Sequence, residues 1–378
     1  MAYTTTTDAD GATLVGTSGS DSTSNSTAGV IQVNSFQGAD TLTLQGVITS
    51  AAVGMGGGID SVTLSGDTLK KKLNITLGDA ADTFTLNDST ADSGITVGGQ
   101  GGADTFTLTN GALTTKSRFA GGQGADTFTV TDLGGASNTL VGGSESDFFN
   151  VTTLDGAGNF INGQKGNDII KIATAISADT TLRGGSEDDT ITNSTSTGVA
   201  MYGDAGADKI TDGAGNATLI GGGGKDTLIG GDGLDTYEGG AGVNRFKVDK
   251  DESGLTADSG GNEVVIGDFK AGETITVSKK EIIKDFGAGN LLDTGNAASA
   301  NATTVAAASG SFAANITYFA FGTYLVDGTF TIAATGDDAI VFVGDAAATT
   351  GTGAGALGSD SWLVIDGGAA NLTASSFV

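Results

Sequence analysis

The sequence predicts an all-β fold: a right-handed parallel β-roll or β-solenoid of about ten two-stranded coils, followed by a C-terminal β-domain. Three observations predict it. Aspartates that close glycine-containing turns recur at Asp40, Asp60, Asp82, Asp104, Asp126, Asp147, Asp168, Asp189, Asp208 and Asp226, with steps of 20, 22, 22, 22, 21, 21, 21, 19 and 18. After most of them comes an alternating run, such as TLTL (41–44), SVTL (61–64), TFTL (83–86 and 105–108), TFTV (127–130), FFNV (148–151) and IIKI (169–172). Before most of them comes a second one, such as LNITL (73–77), GITV (94–97), NTLV (138–141), NFIN (159–162) and ATLI (217–220). Period-2 alternation of Thr, Val, Ile and Phe marks half-buried strands. Two strands and two turns per repeat make one coil of a two-sheet solenoid.

Taken in order, residues 1–35 form a polar N-terminal segment or cap, in which LVGTSGSDS (14–22) reads as a degenerate first turn and VIQV (30–33) as the first convincing strand. Residues 36–248 are the repeats. Only one turn per coil is Gly/Asp-shaped through most of them. The opposite turn, NDSTADS (87–93) or TDLGGAS (131–137), is longer and irregular. The step shortens toward 18, twice nine, and in GGGGKDTLIGGDGLDTYEGGAGVNRFKV (221–248) turns follow at nine residues. Residues 249–290 are a closing cap: a charged loop (249–261), two strands in 262–278, and a short helix or strand in 279–290. A solenoid needs such a cover over its last coil. Residues 291–378 combine a low-complexity loop (293–311) with strands at 316–333, 337–346 and 360–367, a compact β-domain carrying much of the aromatic content.

The turns are the candidate binding positions. Glycines at alternate places allow φ > 0 and close approach of backbone carbonyls, and the closing Asp adds a hard anionic oxygen that suits Ca²⁺. The expected ligand-bearing residues are Gly121, Gly122, Gly124 and Asp126; Gly203, Asp204, Gly206 and Asp208; Gly221, Gly222, Gly224 and Asp226; Gly230, Gly231, Asp232, Gly233 and Asp235; and Gly239, Gly240, Gly242 and Asn244, together with Asp104, Asp147, Asp168 and Asp189. GGQGGAD (98–104) carries one extra residue. In GGSESD (142–147) and GGSEDD (184–189) the fourth Gly is a Glu, which puts φ in question and adds a carboxylate. The turns before Asp40, Asp60 and Asp82 fit the pattern worst. A full ion ladder is expected on one edge, with the other edge gaining sites only near 221–244.

The tandem turns resemble the nonapeptide GGxGxDxUx of the RTX (repeats-in-toxin) family, most closely over 198–248. The resemblance implies a Ca²⁺-binding β-roll, an uncleaved C-terminal export signal read by a type I route, and an extracellular or cell-surface location. Members of that family built almost wholly of repeats are often surface-layer proteins or adhesins.

Composition sorts the function classes. The chain of 378 residues has 44 acidic and 17 basic side chains, a net charge of −27, with 65 Gly and no His, Cys or Pro. That charge disfavours nucleic acid and anionic membranes as partners and favours divalent cations. Without His there is no HExxH zinc site and no Ser-His-Asp triad, and no GxSxG elbow occurs, so no enzyme is expected. No apolar run is long enough for a transmembrane helix, and the N-terminus lacks the features of a secretory signal peptide. The expected function is a Ca²⁺-dependent extracellular structural protein that self-assembles into a surface layer or fibre. The alternatives are a virion structural protein, such as a phage tail fibre, and a Ca²⁺-gated adhesin binding a cell-surface glycan.

Overall fold

The computed structural model describes residues 4–8, 11–25, 29–35, 37–66, 68–69, 73–91, 94–109, 111–113, 116–231, 235–242 and 244–247. Beyond these it describes the strands Thr274–Thr276, Glu281–Lys284, Leu291–Asp293, Ala298–Ser299, Ile316–Tyr324, Thr329–Ile332, Asp338–Val343 and Ser361–Asp366. All secondary structure among the described residues is β, and the chain is an all-β parallel β-roll as expected. It divides into two compact units, Met1–Val199 and Ala200–Val378.

In the first unit, Thr4–Asp8 and Gly11–Val15 form an antiparallel hairpin whose second strand starts the parallel stack against Gly29–Asn34. One sheet then stacks the strands that follow the anchors. Thr41–Leu44, Ser61–Ser65, Thr83–Asn87, Thr105–Thr109, Thr127–Val130, Phe148–Leu154, Ile169–Ile176 and Thr190–Asn193 pair in parallel and in register. The second sheet stacks Gly29–Asn34, Val47–Gly54, Leu73–Asp79, Ile95–Gly101, Arg118–Gln123, Thr139–Ser144, Phe160–Lys165 and Thr181–Ser186. Alternation decides what faces inward: Phe84, Phe106, Phe128 and Phe149 are fully buried, and the residues on either side of each are not. The rings of Phe106 and Phe128, and of Phe128 and Phe149, stack with centroids 4.6 Å apart. A thin solenoid is filled this way, one residue of each coil resting on its copy in the next.

The turn opposite the aspartates is more regular than its sequence suggests. Thr68–Leu69, Thr90–Ala91, Gly111–Leu113 and Leu133–Gly134 are short strands that pair coil to coil, so these coils have a third side rather than an irregular loop. Val47–Gly54 is long enough to serve both this side and the second sheet. The residues in excess of an 18-residue coil build this side, and Leu133, Leu154 and Ile176 fill it from within.

In the second unit, Ala200–Ala205, Thr218–Gly223 and Thr236–Ala241 stack in parallel, as do Lys209–Thr211, Thr227–Ile229 and Arg245–Lys247. Glu281–Lys284 adds to the first stack and Leu291–Asp293 to the second, so the segment read as a short helix or strand is a strand that covers the last coil. Ser361–Asp366 pairs with Glu281–Lys284 and, antiparallel, with Asp338–Val343, which pairs in turn with Ile316–Tyr324. The loop 249–261 and most of 262–278, 293–311 and the C-terminal tail lie outside the described residues.

Candidate metal centre

Each anchor aspartate sits at the corner where a turn enters the first sheet, and each is 1–2 % exposed from Asp40 to Asp189. One carboxylate oxygen is bound in the same way in successive coils. The backbone N–H of Asp40 donates to Asp60 Oδ1 at 2.7 Å, Asp60 to Asp82 at 2.7 Å, Asp82 to Asp104 at 2.8 Å, Asp104 to Asp126 at 2.7 Å, Asp126 to Asp147 at 2.7 Å, Asp147 to Asp168 at 2.7 Å and Asp168 to Asp189 at 2.8 Å. Asp21, closing the degenerate first turn, heads the column by donating to Asp40 at 2.7 Å. In the second unit Asp208 donates to Asp226 at 3.0 Å and Asp226 to Asn244 at 2.9 Å.

Oδ2 of Asp40, Asp60, Asp82, Asp104, Asp126, Asp147, Asp168 and Asp226 is buried without a hydrogen bond. From Asp104 onward it lies where the first residue of the turn is a glycine. A Cβ built on Gly99, Gly121, Gly142, Gly163, Gly184, Gly203 or Gly221 would fall on the carboxylate of the Asp five residues later. The same point is 2.8 Å from Gly163 O for Gly142, 2.6 Å from Gly221 O for Gly203 and 2.7 Å from Gly239 O for Gly221. At these turns the carboxylate oxygen and the carbonyl of the next coil thus lie close together. Burying a carboxylate this way is costly. Loss of solvation pushes Asp104, Asp126 and Asp168 up to about 7 and Asp147 up to about 8, against the opposing pull of the backbone donor. Neighbouring carboxylates add to it, Asp126 and Asp168 acting on Asp147. Asp226 is raised for the same reason.

The opposite edge carries the same ladder with different chemistry. Ile95 N donates to Ser117 Oγ at 3.0 Å, Ser117 N to Asn138 Oδ1 at 3.2 Å and Asn138 N to Asn159 Oδ1 at 2.8 Å. Here the second position of the side chain is an NH₂. Asn138 Nδ2 donates to Gly134 O (3.3 Å) and Gly135 O (3.0 Å), and Asn159 Nδ2 to Asp155 O (2.9 Å) and Gly156 O (2.8 Å). Sequence reading placed both residues only at strand starts. The signal was an Asn directly before each strand, at the same 21-residue step as the aspartates.

The structure brings the predicted turns together as pairs of neighbours in the stack. Gly222 and Gly224 pack on carbonyls of Asp204 and Gly206, and Gly240 and Gly242 on those of Gly222 and Gly224. Gly231 packs instead on Gly213, and Asp235 Oδ1 accepts from Ala217 N at 2.8 Å, so successive nine-residue turns alternate between edges. Gly230 lies beside Asp235 Oδ2 and the Tyr237 hydroxyl. Asp232 and Gly233 lie outside the described residues.

Three local readings change. Gly98 pairs with Ala120, so it belongs to the strand and the turn 99–104 has ordinary length. Left-handed backbone is needed at the second and fourth turn positions, and non-glycines take it: Gln100 (φ 82°), Asp204 (φ 76°), Glu145 (φ 69°) and Glu187 (φ 73°). The glutamates also hold the coil before them, a role the sequence did not show. Glu145 Oε2 accepts from Gly124 N at 2.7 Å and Glu187 Oε2 from Gly166 N at 2.8 Å, which holds both carboxyls below their usual range.

Buried carboxylate oxygens with backbone carbonyls beside them make an all-oxygen donor set, which fits a hard cation. No group of three or more carboxylates close enough to share an ion occurs among the described residues, so carbonyls would have to complete any site. Searches against protein-family models, curated proteins and solved structures return no match to this chain. No helix among the described residues is long and apolar enough to cross a membrane.

Proposed function

We propose that the chain is an RTX-type, Ca²⁺-dependent structural protein that is exported and self-assembles into a surface layer or fibre. One observation carries the reading: a column of buried carboxylates whose second oxygen faces carbonyls, where the asparagine edge places an NH₂. Such a position calls for a positive charge, and Asp104, Asp126, Asp147, Asp168, Asp189, Asp208 and Asp226, with the carbonyls beside them, would hold it. Ca²⁺ there neutralises the column and couples folding to the external ion level. The acidic chain, with a net charge of −27, suits a setting where divalent ions are abundant.

Calorimetric titration of the chelated protein with Ca²⁺, with electron microscopy of both states, tests this. Several bound equivalents and ordered assemblies only in Ca²⁺ are expected. Unchanged circular dichroism in excess EGTA, with no heat of binding, would refute the calcium dependence.

A further inference from the structure

We infer that the outer face of the first sheet is the surface through which two copies of this chain pack face to face. The inference takes one premise from the proposed function, that copies assemble, and does not depend on calcium.

Two columns of outward side chains run along that face in unbroken register. The first is Thr41, Ser61, Thr83, Thr105, Thr127, Phe148, Ile169 and Thr190; the second is Thr43, Thr63, Thr85, Thr107, Thr129, Asn150, Lys171 and Thr192. Their inward neighbours, Leu42 to Ile191, fill the core. Lys171 is the sole charged residue in the two columns, in a chain carrying 61 charged side chains. The edge of the aspartate turns differs, with Asp79, Glu145, Glu187 and Asp188 all exposed. The outer face of the second sheet presents Arg118 and Arg183 among Asn74, Thr96 and Thr181. Copies with a net charge of −27 repel one another, and this neutral field is where they approach at least electrostatic cost.

Two further features favour a second copy as the occupant. Phe148 and Ile169, 37 % and 45 % exposed, are neighbours in the first column, so the face carries apolar surface that a partner would cover. The area also suffices. Eight strands at about 4.8 Å, each with outward residues spaced about 6.6 Å apart, give a field on the order of 500 Å² per copy. A pair would bury about 1,000 Å², the lower bound for a specific contact. Short β-branched residues in straight columns interdigitate without large side chains to order. A two-fold arrangement uses the same patch on both copies.

Sedimentation velocity of the full chain tests the surface, with Thr107→Glu placing a charge at its centre. Wild type is expected to self-associate, and Thr107→Glu to weaken the association at least about tenfold, because the symmetry sets like charges against each other. Phe148→Thr is expected to weaken it less. Thr107→Ser, and Thr96→Glu on the other sheet, should associate like wild type. Circular dichroism confirms folding of each variant. A monomeric wild type, or unchanged association of Thr107→Glu, overturns the inference. So does a monomer whose face retards ice growth or retains a glycan in a Thr107-dependent way. Association that persists in EGTA and still falls with Thr107→Glu supports this surface while refuting the calcium requirement.

Discussion

The two edges of the first unit present the same backbone problem with opposite side-chain answers. On one edge Asn138 and Asn159 accept the N–H of the preceding coil with Oδ1 and donate Nδ2 to the carbonyls of their own turn. On the other, Asp126 and Asp147 make the same first bond and leave Oδ2 without a donor. The amide edge is complete as a neutral protein. The carboxylate edge is complete only with something positive, either a metal ion or a proton. A protonated Asp donating from Oδ2 copies the amide, and an ionised Asp with Ca²⁺ replaces that hydrogen by a larger charge. With Ca²⁺ bound as proposed, the column would exchange protons for metal.

The largest consequence involves the whole column. Asp104, Asp126 and Asp168 sit near 7 and Asp147 near 8 in the folded state, against about 4 in an unfolded chain. Between those values the folded protein holds more protons than the unfolded one, so stability in chelator falls as pH rises from about 4 to about 8 and then levels off. Calcium requires the ionised form, so its affinity should rise over the same upper range, with protons released on binding. Thermal melts at pH 5 and pH 8, with and without Ca²⁺, are expected to show the protein without Ca²⁺ more stable at pH 5 and the Ca²⁺-dependent gain larger at pH 8. A column indifferent to pH in chelator would show that the carboxylates are solvated rather than buried.

Exchanging the answers between edges comes next in size. Asn159→Asp sets a carboxylate oxygen against Asp155 O and Gly156 O, and should cost roughly 3 kcal/mol at pH 8 in chelator, since a buried charge is left unpaired. The loss should shrink at pH 5, where the new side chain carries a proton. Asp126→Asn supplies an NH₂ where Oδ2 now stands. It is expected to raise stability in chelator at pH 8 by about 1–2 kcal/mol and to lower the number of bound Ca²⁺. Urea unfolding reads both, and a loss of stability on Asp126→Asn would mean that the seat does not want a donor. Asn244 is a natural instance: it ends the column in the second unit, accepts from Asp226 N, and its Nδ2 reaches Gly240 O at 3.5 Å.

The solenoid was legible in the sequence because its period is written twice, in the anchor aspartates and in the TFTL-type runs, and each demands the same two-residue alternation. Two things were not legible. The third side of the coils at 68–69, 90–91, 111–113 and 133–134 has strands of two or three residues, too short to show a period, and only coil-to-coil pairing defines them. The first glycine of each turn was read for backbone freedom, whereas at Gly121 or Gly142 it is space that matters, because a Cβ there would displace the carboxylate oxygen. A conformational requirement and a volume requirement leave the same letter in the sequence.

That volume requirement makes the smallest effect the most discriminating. Register places Ser35, Met55, Leu77, Gly99 and Gly121 at the same turn position in successive coils. Met55 and Leu77 are fully buried, so the first position of these turns carries a side chain where later coils have a glycine closed on the carboxylate oxygen. Asp60 and Asp82 are nevertheless pushed up to about 7 and about 6 by burial. In these coils we expect the proton to be the positive partner. Asp82→Asn should therefore leave the number of bound Ca²⁺ unchanged while making stability between pH 5 and pH 8 slightly flatter, whereas Asp126→Asn changes both. If Asp82→Asn removes a calcium equivalent in titration, the glycine at the head of the turn does not select the ion, and the two ends of the column are alike.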